Sequence, residues 1–381
     1  MFSSLPIPSS ARHRAATAYK KQLSNSVRVM LLAVPPLMFL ATALRTYGSP
    51  GNGTSSSHTA TTLMSRVREM SAMGDDSLNE VSLREQIRSA CRLCSRSVPT
   101  DISTLRSYGP AYSSIIVSHR LKVVYVPVFK VATTSTMWQI AYLESNAHIL
   151  NTTGDDLEIA LHDMDHPAWY HHAIYRWDDA RIEQVLQDPS YLKFGFVRDP
   201  YDRLISAYID KIMRPSIDSP EYQDQMYSLF GDDQPSRAAG NITKPSFESF
   251  VRSIAHVLKQ PRVQRSHNHV LYENNRSRRD LHWRPQLELL HPDIIPFDFV
   301  GKFDSLAYDR LLVMQWMYQH TSRRMRDDVL HKRHSTDPRQ KKNFLGIIRN
   351  NQDLRQLIVD TYRQDFETFN FPIELPPPAP L

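Results

Sequence analysis

A chain of 381 residues that is 41% hydrophobic and 23% charged has an ordinary globular balance, which excludes global disorder and a multi-span membrane protein. Two cysteines exclude a disulfide-rich scaffold and a four-thiolate zinc site. The net charge of +6 is local: residues 1–100 hold 12 Lys+Arg against 5 Asp+Glu, and the remainder 34 against 35. The basicity therefore implies no nucleic-acid partner.

The N-terminal segment carries Arg12, Arg14, Lys20, Lys21 and Arg28 with no acidic residue, then an uncharged run from Val29 to Leu44, closed by Arg45. That charge step predicts a cytoplasmic tail over residues 1–28, a transmembrane signal anchor over 29–45, and translocation of everything after it. Sixteen residues rise only ~24 Å as a helix. A thin membrane and snorkelling by Arg28 and Arg45 accommodate the shortfall, and membrane helices tolerate prolines such as Pro35 and Pro36. Ala41-Thr42-Ala43 resembles a signal-peptidase site, so cleavage is the competing reading. The long basic region ahead of it favours an uncleaved anchor.

Residues 46–107 read as a lumenal stem, flexible over the Ser/Thr/Gly-rich part at 46–75. Asn52, Asn151, Asn241 and Asn275 each begin an N-glycosylation tripeptide, in keeping with a lumenal glycoprotein. Cys91 and Cys94 lack the strand–turn–helix setting of a redox pair and the further ligands zinc needs, which leaves a local or intersubunit disulfide. Residues 374–381 form a Pro-rich tail.

The folded domain is expected over residues 108–373. Lys122–Val128 is a β-branched run suited to a buried parallel strand, with a helix over Thr134–Leu143 after it. Lys193–Val197 is a second strand, followed by a helix over Pro200–Ile212 with Asp199 as N-cap and Pro200 at its first position. Phe297–Val300 reads as a third strand, with a helix from about Leu306 to His320. An apolar stripe of Leu354, Leu357, Ile358, Phe366 and Phe369 predicts a last helix from about Gln352 to Phe369. Strands alternating with helices imply an α/β fold with a mainly parallel sheet.

In such sheets ligands bind where strand ends feed helix N-termini. One strand end carries Lys130, Val131, Ala132, Thr133, Thr134, Ser135 and Thr136: a lysine, small residues and four hydroxyls, which is what a phosphate cradle requires. The Gly-x-x-x-x-Gly-Lys frame of a Walker loop is absent. A plain Ser/Thr-rich helix start is the commoner use of such a segment. The other strand end carries Arg198, with Ser206 two helical turns along, and the pair can grip a second phosphate. A local Arg198–Asp199 ion pair is the simpler alternative.

The loop at Lys130–Thr136, followed by Arg198-Asp199-Pro200-Tyr201-Asp202-Arg203-Leu204-Ile205-Ser206-Ala207-Tyr208, resembles the phosphosulfate loop and 3′-phosphate element of Golgi carbohydrate sulfotransferases. His282-Trp283-Arg284-Pro285-Gln286, Leu290-His291-Pro292, Asp298–Phe303 and Val359–Phe366 narrow the resemblance. They are similar to the branch of chondroitin/dermatan 4-O-sulfotransferases and natural-killer-epitope sulfotransferases. The first loop departs from the Pro-Lys-Val-Gly-Cys-Thr-Asn-Trp usual in vertebrate members, because Phe129 precedes Lys130 and Ala132-Thr133-Thr134 follow. It is nearer the Lys-Thr-Ala-Ser-Thr-Ser form of uronyl 2-O-sulfotransferases. Leu290 and Asp293 stand where cysteines often flank His-Pro. These departures leave the donor site in place and the acceptor open.

The resemblance implies a P-loop-like three-layer fold and a Golgi membrane enzyme of type II topology. It implies sulfuryl transfer from the co-substrate 3′-phosphoadenosine 5′-phosphosulfate to a glycan hydroxyl, without a metal, and leaves room for a homodimer. Lys130 and the loop would stabilise the leaving phosphate, and Arg198 with Ser206 would hold the 3′-phosphate. The base is expected among His162, His166, His171 and His172, with His172 preferred and His162 second; failing these four, His282 or a carboxylate such as Asp202 comes next. His282 and Trp283 are expected to support the pocket, and Lys341 and Lys342 to contact donor or acidic glycan. A phosphate-transferring P-loop enzyme would show a Walker lysine frame and acidic metal ligands. A catalytically inactive glycan-binding protein of the same fold is the other competing reading.

Overall fold

The computed structural model describes residues 80–91, 102–107, 110–146, 149, 151–152, 154–166, 169, 171–230, 244–259, 280–321 and 336–375. The expected tail, anchor and first part of the stem lie outside these residues, as do Cys94, Asn52, Asn241, Asn275 and residues 376–381. Among the described residues no helix is long and apolar enough to cross a membrane.

In chain order the elements begin with α1 (Glu80–Ala90), α2 (Ile102–Ser107), α3 (Pro110–Ser113), β1 (Ile116–Ser118), β2 (Val123–Tyr125), α4 (Thr133–Leu143) and α5 (Gly154–His162). They continue with α6 (Asp179–Gln187), β3 (Leu192–Val197), α7 (Pro200–Tyr208) and a π-helical turn over Ile209–Met213. Then come α8 (Pro220–Phe230), α9 (Phe247–Lys259), α10 (Gln286–Leu290), β4 (Phe299–Lys302), α11 (Leu306–Gln319), α12 (Pro338–Asn350) and α13 (Gln352–Thr368).

The described strands form one sheet in the order β1-β2-β3-β4. β2, β3 and β4 run parallel, with Tyr125 opposite Phe194 and Val197 opposite Lys302. β1 joins the edge antiparallel to β2. The expected mainly parallel α/β fold is borne out, and all three expected strands are present. Every residue of β3 is buried, as expected of a central parallel strand covered on both faces. Gly195 sits there because an added Cβ would come within 2.7 Å of Leu290 Cδ2 and 3.1 Å of the Val126 carbonyl.

The helix expected over Pro200–Ile212 is α7 running into the π turn. Asp199 accepts a hydrogen bond from Asp202 N at 3.0 Å, and Pro200 opens the helix. The last helix is not uniform, because Tyr362 departs from helical geometry (φ −116°, ψ 22°). Its hydroxyl donates to the Trp283 carbonyl at 2.6 Å. α1 lies inside the segment assigned to the stem and packs by its buried Leu83 and Ile87, with Arg88 donating to Asp298 at 3.0 Å. Cys91, just after α1, is disulfide-bonded.

α10 is short and starts with Pro285, which offers no cap side chain. Buried Asp365 on α13 supplies the missing acceptor, taking hydrogen bonds from Gln286 N at 2.8 Å and Leu287 N at 2.9 Å. Burial pushes the Asp365 carboxyl up to about 6, although the two N–H bonds and Arg203 pull the other way. Asp365→Ala leaves the buried Gln286 N–H and the part-buried Leu287 N–H without this acceptor, and should cost about 1–3 kcal/mol in urea unfolding. A folded-state pKa above the ordinary 3.8 means the folded protein holds this proton more tightly. Relative to Asp365→Asn, the native protein should therefore gain stability as pH falls from 7 through about 6 toward 4. A constant difference between the two over that window contradicts this assignment.

Candidate active site

The loop between β2 and α4 carries two non-glycine residues in the left-handed region, Lys130 (φ 68°) and Ala132 (φ 55°). Such conformations cost roughly 1–2 kcal/mol each and need a compensating role. Left-handed residues of this kind turn successive N–H groups toward a common side, the form of an anion-binding nest. α4 starts at Ala132 without any side-chain cap, whereas α6, α7, α12 and α13 each have one. A bound anion is the natural cap for such a start.

The loop hydroxyls are partly committed to its shape. Thr133 Oγ1 donates to the Val128 carbonyl at 2.7 Å, and Thr136 Oγ1 to the Ala132 carbonyl at 3.1 Å. Thr134 Oγ1 bonds His162 Nε2 at 2.8 Å. Ser135 presents its carbonyl to Arg310 Nη2 at 3.1 Å, and Arg310 Nε also donates to Gln139 Oε1 at 2.6 Å. Buried Arg310 thus fixes α4 against α11.

Lys130 Nζ is 2.7 Å from Asp210 Oδ2 in the π turn, with both side chains largely buried. Burial pulls the Lys130 ammonium below its ordinary pKa, against the pull of Asp210. Burial alone would raise the Asp210 carboxyl, but Lys130, then Lys211 and His282, take it down to about 2. Lys211 and Arg214 also pair with Asp210, at 3.8 and 3.1 Å.

Arg198 follows β3 and is 7% exposed. Its backbone N and O are both met by the side-chain amide of Gln286, at 2.8 and 2.7 Å. Its guanidinium lies 4.3 Å over the Phe303 ring, and Nη1 donates to the Lys130 carbonyl at 3.2 Å. The buried Nε has no partner. An unsatisfied charged donor at a strand end, beside the uncapped helix, fits a phosphate oxygen. Ser206 is buried on α7 and shares a helical face with Arg203 and Asp210.

The structure brings Lys130–Thr136, Arg198 and His162 to one region. His172 lies elsewhere: its Nδ1 bonds the Val117 carbonyl at 2.9 Å on the edge strand. His171 is exposed. Lys341 pairs with Asp202 on α7. Asp210, Asp280 and His282 were not singled out together in the sequence, since 70 residues separate Asp210 from Asp280. His282 Nδ1 bonds Asp280 Oδ1 at 2.6 Å, and the His282 ring lies 5.2 Å from the Phe129 ring. His162 lies 6.0 Å from the same ring. Among the described residues no group of three His, Cys, Asp or Glu side chains could hold a metal ion.

A strained loop and an uncapped helix thus lie beside an unsatisfied arginine, at the ends of two parallel strands. The chain belongs to the sulfotransferase family, whose model matches residues 113–372. It is 29% identical to human (Homo sapiens) carbohydrate sulfotransferase 9 over 188 residues, 48% of this chain and 38% of that protein. It is 28% identical to carbohydrate sulfotransferase 14 of Mus musculus over 205 residues, 53% and 46% of the two chains. Carbohydrate sulfotransferase 8 of Mus musculus is 25% identical over 279 residues, 71% and 59%. The chain thus spans about two fifths to three fifths of these relatives. No solved structure matches it. The resemblance to carbohydrate sulfotransferases is borne out.

Asp210 gives this site a pH signature. Its folded-state pKa lies below the ordinary 3.8, so its contribution to stability is present above about 4 and lost as pH falls toward 2. Acid titration followed by fluorescence should show the native protein losing more stability between pH 4 and 2 than Asp210→Asn does. Parallel curves would mean that the Lys130–Asp210 pair does not form in solution.

Proposed function

We propose that the protein transfers a sulfuryl group from 3′-phosphoadenosine 5′-phosphosulfate to a hydroxyl of a glycan. The observation that carries this reading is the buried, unpartnered Arg198 Nε beside the strained Lys130–Ala132 loop, in a chain of the sulfotransferase family. The names of its relatives support a carbohydrate acceptor. The donor supplies an activated sulfate and a phosphate leaving group.

The chain's own residues divide the work. Arg198 and Ser206 would hold the 3′-phosphate and so fix the donor's register. The backbone N–H groups of Val131 to Thr136 would surround the 5′-phosphate at the start of α4. Lys130 would leave Asp210 or share its charge as negative charge grows on the leaving phosphate, stabilising the transition state more than the ground state. This would be electrostatic catalysis by the chain's own cations and N–H groups. Of the four histidines at 162–172, His162 reaches this loop through Thr134 and His172 is committed to β1.

Arg198→Ala should weaken binding of adenosine 3′,5′-bisphosphate by roughly 1.5–3 kcal/mol while the protein stays folded, because a charged hydrogen bond is lost. Calorimetry on the full chain checks it, and unchanged affinity removes Arg198 from the donor site. ATP in place of the bisphosphate tests for a phosphate-transferring enzyme. Turnover of labelled donor with a panel of glycans separates an enzyme from an inactive glycan-binding protein.

The charge step at residues 1–45 and the family membership support a single-pass type II protein of the Golgi membrane with its catalytic domain in the lumen. Asn151 is exposed and open to glycosylation. Protease treatment of sealed microsomes should spare the C-terminal domain and remove the N-terminal tail. The reverse pattern overturns this topology.

A further inference from the structure

We infer that His282, held by Asp280, is the general base that takes the proton of the acceptor hydroxyl; this rests on the sulfuryl-transfer reading above. Asp280 Oδ1 accepts from His282 Nδ1 at 2.6 Å and from the His282 backbone N at 2.8 Å. One carboxylate thus fixes the residue by its main chain and its ring. With Asp280 ionised, Nδ1 carries the proton and Nε2 is the basic nitrogen. Among the described residues His282 makes no hydrogen bond through Nε2. The side chain is 19% exposed, enough for a substrate atom to reach it.

The position is suitable. His282 packs edge-on against Phe129, the residue before Lys130, and Asp210, the partner of Lys130, feels its charge. A base in this reaction must stand near sulfur on the side away from the leaving phosphate. His282 lies 5.2 Å from the ring of Phe129, the residue that leads into the loop that would hold that phosphate.

The other candidates are occupied. His162 Nε2 is bonded to Thr134 Oγ1, and His172 Nδ1 to the Val117 carbonyl. Asp210 is paired with Lys130 and drawn down to about 2, too weak a base for a sugar hydroxyl. Asp199 caps α7, and Asp202 is paired with Lys341.

The charges around His282 suit a group that is neutral at rest and cationic in the transition state. Burial lowers its pKa from the ordinary 6.5, as do Lys211 and Lys130, while Asp280 raises it. Asp210 faces it from the π turn with the opposite sign to Lys211. The net lowering keeps the imidazole neutral near pH 7, and Asp280 stabilises the imidazolium once formed. In the step, the acceptor O–H proton passes to Nε2 as that oxygen bonds to sulfur. The bond from sulfur to the phosphate oxygen breaks, and its electron pair leaves with adenosine 3′,5′-bisphosphate. The imidazolium then returns its proton to water.

The test measures kcat, affinity for adenosine 3′,5′-bisphosphate and thermal midpoint for the full chain and for His282→Ala, His282→Gln and Asp280→Asn. Both His282 variants should lose roughly 10²–10⁴-fold in kcat with donor affinity unchanged. His282→Gln keeps the volume of the ring and serves if the alanine variant does not fold. The native rate should rise with pH through a midpoint below 6.5, and Asp280→Asn should move that midpoint lower, because the carboxylate that raises it is gone. Near-native kcat in His282→Gln, from an enzyme whose native form transfers sulfate, overturns the base and leaves the activity standing. No transfer by the native protein to any glycan overturns both.

Discussion

The guanidinium of Arg203 is the tie on which the site depends. It is 2% exposed and gives Nε to the Phe129 carbonyl at 2.9 Å, Nη1 to the Arg284 carbonyl at 2.8 Å and Nη2 to the Leu281 carbonyl at 2.9 Å. One rigid fork therefore joins α7 to the loop carrying Lys130 and to the segment carrying His282. Lysine could not reproduce this, since its ammonium is a single point charge without the planar spread of donors. The cation is buried without a hydrogen-bonded carboxylate, so three carbonyl dipoles carry the cost of its desolvation. Tyr362 adds a fourth anchor by bonding the Trp283 carbonyl, and the kink of α13 at Tyr362 falls at that anchor.

Around this tie the two strand-end cations, Lys130 and Arg198, carry charge differently. Lys130 has a counter-ion within hydrogen-bond reach, whereas Arg198 makes no ion pair among the described residues and leaves Nε unsatisfied. A buried unpaired donor next to charge costs about 1–3 kcal/mol. That cost is what an anion bound at Arg198 would recover, which is the ground on which the proposed donor contact rests. The Lys130 end is neutralised by Asp210. The π turn makes this possible: Ile209–Met213 shifts the helix register just where Asp210 must reach Lys130.

Much of the frame was legible in the sequence because its causes are local. The β-branched run at β2, the Asp199-Pro200 helix start and the stripe on α13 each depend on neighbours a few residues apart. The lysine and hydroxyl loop was legible for the same reason. What was hidden depends on contacts between distant residues. Nothing local marks Ile116–Ser118 as an antiparallel edge strand, or α1 as packed, since Arg88 finds Asp298 210 residues away. Gln286 reads as an ordinary polar residue at a helix start. In the fold its amide completes the end of β3 in place of a neighbouring strand.

The same distinction governs the histidines. Four of them cluster at residues 162–172, between the two loops expected to bind phosphate, which made that segment the natural place to look for a base. Proximity along a parallel α/β chain is a poor guide, since each crossover carries the chain away from the sheet's carboxyl edge before returning. His172 ends beside β1, whereas His282, 84 residues beyond Arg198, is brought back by the Arg203 tie. Phe129 has its ring near both His162 and His282, at 6.0 and 5.2 Å. Its carbonyl serves Arg203, a role that any residue can fill. Its ring is what this chain adds there, packing near both imidazoles, while the Phe129 carbonyl still ties the start of the loop to α7 through Arg203.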